Sequence, residues 1–232
     1  MNISVASYSS IGGRAKNEDT ILINNMGSSC IAVVCDGVGG HEYGEISSKI
    51  ASSCIMQMCE ENFMSPLVFR CAVKEANKQV LVSTRGKTTV AALWISGEDA
   101  LATNIGDSRI YQFRGERIVF QSTDHSVVYY SYLNGEISYQ DIRTSKFRNR
   151  ITRALGASED IKVEIKPLCI AKGDAFLICS DGFWEYIEEN DMISTLNESR
   201  DSQEWLDKMK NIADKASSEN RDNNSAIVII CN

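Results

Sequence analysis

Residues 30–35 form an unbroken apolar run that stops at Asp36, and Gly37, Gly39 and Gly40 follow at once. A short apolar run bounded by turn residues fits a strand buried on both faces. Here a carboxylate stands where that strand ends. The glycines then allow a sharp turn and a close approach of the backbone to another group. A hard cation or a phosphate is the usual partner of such an arrangement. A strand end followed by a flexible turn has the same pattern.

The pattern recurs. The apolar run 175–179 leads through Ser180 into Asp181-Gly182. Asp222-Asn223-Asn224 precedes the strand-like residues 225–231, and Asn17-Glu18-Asp19 precedes Ile21-Leu22-Ile23. If these strand ends converge, their aspartates make an all-oxygen metal cage. The chain holds only two histidines, His41 and His125, so carboxylates and carbonyls must do most of the ligation. That donor set selects magnesium, manganese or calcium.

Composition narrows the rest. At 232 residues the chain suits one domain, 1–232, burying roughly 70% of its unfolded surface. A formal charge of −7 argues against nucleic acid or an anionic membrane as the main partner. No stretch approaches the length of an apolar membrane span. Met1-Asn2-Ile3-Ser4 lacks a basic region followed by an apolar core, so no secretion signal is expected. The eight cysteines form no Cys-x-x-Cys pair and sit mostly in apolar runs. That excludes a zinc or redox centre and fits a reducing, cytoplasmic setting. A monomer is expected.

Periodicity predicts strands at 2–8, 20–24 and 30–36, with a loop at 11–19 between the first two. From 44 to 58 the period becomes helical, with Ile46, Ile50, Cys54, Ala51, Ile55 and Met58 on one face. A second helix follows Pro66, burying Phe69, Val73, Ala76 and Val80. Strands at 88–95 and 100–105, and at 109–113 and 118–121, are joined by glycine-containing turns, which implies antiparallel hairpins. Residues 126–150 are polar and tyrosine-rich, and suggest short helices in a mobile excursion. Strands are expected at 161–167, 175–179 and 225–231. Helices are expected at 189–197 and 202–217, the latter capped by Asp201 and Glu204 and burying Trp205, Met209, Ile212 and Ala216. Asp124 fits a turn, and Glu60-Glu61 and Glu188-Glu189 fit solvated helix ends. The sum is an α+β sandwich.

Two motifs fail on inspection. Gly86-Lys87-Thr88-Thr89 looks like the tail of a P-loop, but Leu81 stands where that loop needs glycine. Asp36-Gly37-Val38 lacks the second aspartate of a haloacid-dehalogenase site.

Eight stretches taken in order carry a resemblance. They are Gly13-Arg14-Ala15-Lys16-Asn17-Glu18-Asp19, Val34-Cys35-Asp36-Gly37-Val38-Gly39-Gly40-His41, Gly86-Lys87-Thr88-Thr89 and Asn104-Ile105-Gly106-Asp107-Ser108-Arg109. Asp124-His125-Ser126, Ile151-Thr152-Arg153-Ala154-Leu155-Gly156, Cys179-Ser180-Asp181-Gly182 and Asp222-Asn223 complete them. The chain resembles the metal-dependent protein phosphatases of the protein phosphatase 2C (PPM) family, in their short bacterial form.

That resemblance implies a four-layer αββα sandwich, two antiparallel sheets flanked by helix pairs, with two manganese or magnesium ions at one end. It implies that Asp36 bridges both ions, that the Gly37 carbonyl binds one, and that Asp19, Asp181 and Asp222 complete the acidic cluster. Glu18 would act through metal-bound water, and Asp107 with Asp181 would hold a third, weaker ion. Arg14 would grip the substrate phosphate, for which its planar fork of donors is suited. A hydroxide held between the two ions would attack phosphorus directly, so Arg14, Asp36 and Asp181 are the expected catalytic set. The implied partners are phosphoserine and phosphothreonine proteins, with a serine/threonine kinase and its substrates. An inactive partner-binding module of the same fold, or a phosphatase of small phosphate esters, are the alternatives. The sequence departs from the family pattern at Val38, where some members have histidine, and at Asn224-Ser225, where Ile-Thr is common.

Overall fold

The computed structural model describes residues 1–38, 43–217 and 220–232. Two sheets, antiparallel throughout, form its centre. One runs β1-β11-β10-β7-β8, built from β1 (Ile3–Ser10), β11 (Asn224–Cys231), β10 (Ala175–Cys179), β7 (Arg109–Arg114) and β8 (Arg117–Gln121). The other runs β2-β3-β5-β6-β9, built from β2 (Asp19–Asn25), β3 (Ser29–Val38), β5 (Val90–Ser96), β6 (Asp99–Ile105) and β9 (Lys166–Cys169). The short β4 (Lys87–Thr88) pairs with the end of β3.

Side-chain alternation explains why the central strands are apolar along their whole length. Successive residues of a strand face opposite ways. Cys30, Ala32 and Val34 of β3 pack between the sheets with Phe176, Ile178, Ile227 and Ile229 of the other sheet. Ile31, Val33 and Cys35 face the opposite way, against α1 (Gly44–Glu60) and α2 (Pro66–Ser83). The outer face of the first sheet is covered by α6 (Glu189–Asn197) and α7 (Ser202–Ala216), which bring Met192, Trp205 and Met209 onto Phe113, Leu177 and Val228. The layers are therefore helix, sheet, sheet, helix, the expected sandwich.

Several elements differ from their expected form. In α1 Ala51, Cys54 and Ile55 are buried as expected, and Gly44, Ser47 and Ser48 are buried with them, while Ile46 is exposed. Ser48 donates to the Glu18 carbonyl at 2.6 Å, and Ser47 to the Tyr43 carbonyl at 2.7 Å. Small hydroxyl residues thus let the helix start lie close on the strand ends. In α7, Ile212 packs at the edge of the outer core, Ala213 is buried beside it, and Ala216, expected inward, is exposed. The strand expected at 161–167 pairs only from Lys166 to Cys169. Ile161 and Val163 are buried against the α2 core, so their alternation marks extended chain outside the ladder.

Residues 126–150 are anchored rather than a loose excursion. They form α3 (Val127–Leu133) and α4 (Asp141–Thr144), and Val128, Tyr129 and Ile142 are buried in the first sheet's outer core. Ser126 caps α3, as Ser65 caps α2 by accepting from the Val68 amide at 3.2 Å.

Phe69 is fully buried and meets Trp94 edge-on, with ring centroids 5.8 Å apart. Phe69→Ala removes a ring from a close-packed layer and should destabilise the protein by about 3–5 kcal/mol. Urea denaturation measures this; a loss under about 1 kcal/mol would mean that α2 is not held through this contact.

Candidate metal centre

The register of the two sheets brings the acidic strand ends together. Asp19 and Asp36 are direct partners across β2 and β3. Asp181 begins the one-turn helix α5 (Asp181–Trp184) immediately after β10, and Asp222 stands just before β11. Arg14, Glu18, Asp36, Gly37, Asp107, Asp181 and Asp222 all line one cleft of about 730 Å³. Asp19 does not line it. Its carboxylate lies beneath, accepting from Ser180 at 2.8 Å and Ser225 at 2.7 Å. Ser225 lies in β11 of the opposite sheet and Ser180 directly follows β10, so Asp19 ties the sheets together at this end.

Close approach of backbone makes the convergence possible. A Cβ on Gly37 would lie 2.4 Å from the Gly44 carbonyl oxygen, and one on Gly182 would lie 2.2 Å from that of Asn223. Neither position admits a side chain without moving main chain. The Asp36 backbone is held on both sides: Thr89 Oγ1 accepts from its amide at 3.0 Å, and Thr88 Oγ1 donates to its carbonyl at 2.9 Å.

Asn223 is a clamp that sequence reasoning placed in a motif without giving it a task. Its Nδ2 donates to the carbonyls of Ile11 (2.8 Å) and Lys16 (2.9 Å), and its Oδ1 accepts from the Glu18 amide (2.8 Å). It therefore fixes the loop that carries Arg14 and Glu18. Nothing local in the sequence announces this, because the two partners are some two hundred residues apart.

The electrostatics are those of a site short of positive charge. Burial pushes the Asp19 carboxyl up to about 7 against its two serine hydrogen bonds, and the charges of Asp181 and Asp222 add to that push. Desolvation, then the charges of Asp19, Asp181 and Asp107, hold Asp36 well above the usual carboxylate range. Burial does the same to Asp107, with Asp181 and Asp124 adding to it. Asp181 and Glu18 are raised by desolvation first and by the Asp222 charge second. Asp222 itself is turned to Arg14, whose Nε and Nη2 donate to its two oxygens at 2.9 and 2.7 Å.

This donor set fits hard divalent cations. Every candidate ligand is an oxygen, the carboxylates repel one another, and Asp19 Oδ1 is buried with no hydrogen-bond partner. Among the described residues no three of these side chains already close around one point. Asp222 faces Arg14, Asp181 Oδ1 accepts from the Gly182 amide at 2.6 Å, and Asp19 Oδ2 is held by the serines. His41 lies outside the described residues. His125 is not at the cleft; its Nδ1 accepts from the Gly106 amide at 3.3 Å.

Two acidic residues expected in solvated turns or helix ends are instead parts of a buried network. Asp124 is fully buried and accepts a fork from Arg109, with bonds of 2.8–3.1 Å. Glu189 accepts from Arg143 at 2.8 Å and Tyr139 at 2.7 Å. The Arg109 guanidinium stacks 3.5 Å above the Trp184 ring, and Trp184 Nε1 donates to the Asp107 carbonyl at 2.9 Å. Residues 126–150 are thus wired to the wall that carries Asp107 and Asp181.

Two stacked antiparallel sheets, a helix pair on each side and an acidic cleft at one end define the architecture of the PPM-type phosphatases. Stp1, a serine/threonine phosphatase from Staphylococcus aureus, has this structure, with a TM-score of 0.90 and 25% identity over 100% of this chain and 96% of that one. The catalytic domain of the serine/threonine protein phosphatase PstP, solved with two manganese ions, shares the fold at a TM-score of 0.85 and 22% identity, over 99% of this chain and 98% of that one. The serine/threonine phosphatase stp of Listeria welshimeri is 29% identical over 209 residues, 84% of this chain and 82% of its own. The family model for protein phosphatase 2C matches residues 8–224, and the chain belongs to that family. It is a protein phosphatase.

The raised carboxyls give a stability prediction for the metal-free protein. An acid whose folded pKa exceeds its ordinary value of 3.8 opposes the fold when it ionises. The stability these groups permit is complete below about pH 4 and is lost as pH rises, through about 7 for Asp19. In chelator, Asp36→Asn should therefore melt above the parent protein at pH 8, by about 2–4 °C for each kcal/mol relieved. The gap should narrow towards pH 5. A lower melting temperature for the variant at pH 8 would make Asp36 a residue that holds the fold.

Proposed function

We propose that the chain is a metal-dependent phosphatase of phosphoserine and phosphothreonine in proteins, acting as one catalytic domain over residues 1–232. The observation that carries this is the single cleft joining Asp36, Asp181 and Asp222 to Arg14, in a chain whose family match spans nearly its whole length. Asp36, Asp181, Asp222, Asp19 and the Gly37 carbonyl would hold two manganese or magnesium ions, with Glu18 acting through water. When bound, such ions supply Lewis acidity: they acidify water, so that direct attack on phosphorus needs no side-chain nucleophile, and they neutralise phosphate charge.

Arg14 is the residue that grips the phosphate. Its side chain is 53% exposed at the cleft and already makes a two-pronged bond to a carboxylate, the geometry a phosphate would take over. Tyr43, Asn149 and Ile151 form the walls within which the phosphorylated residue would sit. All eight cysteines are free thiols, in keeping with a reducing cytoplasm. No described helix is long and apolar enough to cross a membrane. The natural counterpart is a serine/threonine kinase with shared substrates, and the protein would act as a monomer. An inactive binding module is not favoured, because every acidic position of the family pattern is filled.

Hydrolysis of a phosphothreonine peptide with manganese, with and without chelator, tests the reading. Turnover should require the metal, and Asp36→Asn should lower it by orders of magnitude. Bound manganese without turnover would favour the binding module. In Arg14→Ala, inhibition by inorganic phosphate should weaken roughly ten- to a hundredfold, as expected for loss of a charge-assisted bond. Unchanged inhibition would make Arg14 a solvated loop residue with no part in binding phosphate.

Asp107 is proposed to hold an additional ion with Asp181. Serine and threonine depart as poorly stabilised alkoxides and depend on a nearby proton supply, whereas nitrophenolate does not. Asp107→Ala should therefore lower turnover of a phosphothreonine peptide much more than that of nitrophenyl phosphate. Equal losses on the two substrates would remove Asp107 from that role.

A further inference from the structure

A cationic stretch runs beside the cleft in a chain that is otherwise acidic. Residues 143–153 contain Arg143, Lys146, Arg148, Arg150 and Arg153 and no acidic residue, against a formal charge of −7 for the whole chain. Arg143 and Arg148 are engaged internally, with Glu189 at 2.8 Å and Glu185 at 2.9 Å. Arg153 lies in the field of Glu164. Lys146 and Arg150 are exposed, and neither forms an ion pair among the described residues. Both are gathered on Phe147: the Lys146 ammonium is 5.0 Å and the Arg150 guanidinium carbon 4.6 Å from the ring centroid. Asn149 and Ile151, on either side of Arg150 in the chain, line the cleft, and Lys16 lines it from the Arg14 loop.

We propose that Lys146 and Arg150, held on the Phe147 ring, select phosphorylated segments that carry carboxylates beside the phosphorylated residue. The inference deepens the phosphatase reading and rests on it. A net negative protein with an acidic cleft repels an acidic segment at long range. Salt confines that repulsion to about 8 Å under physiological conditions, so the charges beside the cleft decide what is admitted. Two cations there attract an acidic flank and repel a basic one, and discrimination comes from both effects. The aromatic ring matters because it restrains two long side chains that would otherwise lose rotamer freedom on binding. Both side chains face solvent, and Lys16 lines the cleft from the Arg14 loop.

The test uses three phosphothreonine peptides of one length, with acidic, neutral or basic flanks. The wild-type protein and the double variant Lys146→Glu, Arg150→Glu are compared, with nitrophenyl phosphate turnover to normalise for changes at the acidic cluster. In the wild type at physiological ionic strength, kcat/KM should favour the acidic peptide over the basic one by about tenfold, the size that two exposed charge pairs supply. The ratio should shrink with added salt and fall to one or below in the double variant. Equal kcat/KM for the three peptides in the wild type, or a preference that survives charge reversal, would overturn the proposal. The same peptides carrying a fluorophore are also bound in chelator and read by anisotropy. If none of them is hydrolysed with manganese, the phosphatase reading fails. The order of their affinities still decides the flank-charge proposal on its own.

Discussion

Mutual repulsion among carboxylates is the constraint to which the rest of the structure answers. Asp19, Asp36, Asp107 and Asp181 are brought to one end of two sheets, in surroundings that desolvate them. Left alone, such a cluster pushes the strand ends apart. The fold resists with fixed backbone and hydroxyl groups, while the buried cation nearby, Arg109, is paired with Asp124. Ser180 and Ser225 hold Asp19, Thr88 and Thr89 hold the Asp36 backbone, and Asn223 fastens the loop that carries Glu18. Arg14, on the cleft, pairs with Asp222. The remaining imbalance is what divalent ions are suited to neutralise.

The layers and most strands were legible because a strand buried on both faces is apolar at every position, while its end must still meet solvent or a ligand. The aspartates after β10 and before β11 mark those ends. Three kinds of feature were not legible. The start of the α1 face escapes the apolar period because Ser47 and Ser48 are buried by hydrogen bonding to backbone, while Ile46 is exposed. The paired span of β9 was misplaced because Ile161 and Val163 alternate as a strand does without a ladder partner. Asp124 and Glu189 were read as solvated because their cations, Arg109 and Arg143, lie distant in sequence. Within the cleft, Arg14, Glu18, Asp36, Asp107, Asp181 and Asp222 could be named from motifs. The positioning residues Asn223, Ser180 and Ser225 could not be given tasks, since their partners are known only once the sheets are stacked.

The buried Arg109–Asp124 pair gives the wall behind the cleft its rigidity. A fully desolvated ion pair contributes little net stability, but removing one partner leaves an uncompensated buried charge. Here the guanidinium is fixed twice, by the Asp124 carboxylate and by the Trp184 face, while Trp184 in turn holds the Asp107 carbonyl. Tyr139 and Arg143 join the same network through Glu189. The cationic stretch and the two segments that carry Asp107 and Asp181 are thus joined in one network.

Asn223 and β11 also set the order in which the site can come into being. The last strand pairs along its length with the first, and the loop of residues 11–18 takes its shape from a side chain at position 223. A growing polypeptide holds its amino-terminal acids long before the residues that arrange them exist. Loop closure over such a separation is entropically late, and contacts of this kind slow folding. Catalytic competence therefore arrives all at once, after synthesis has passed β11, and no shorter nascent fragment contains an arranged cleft.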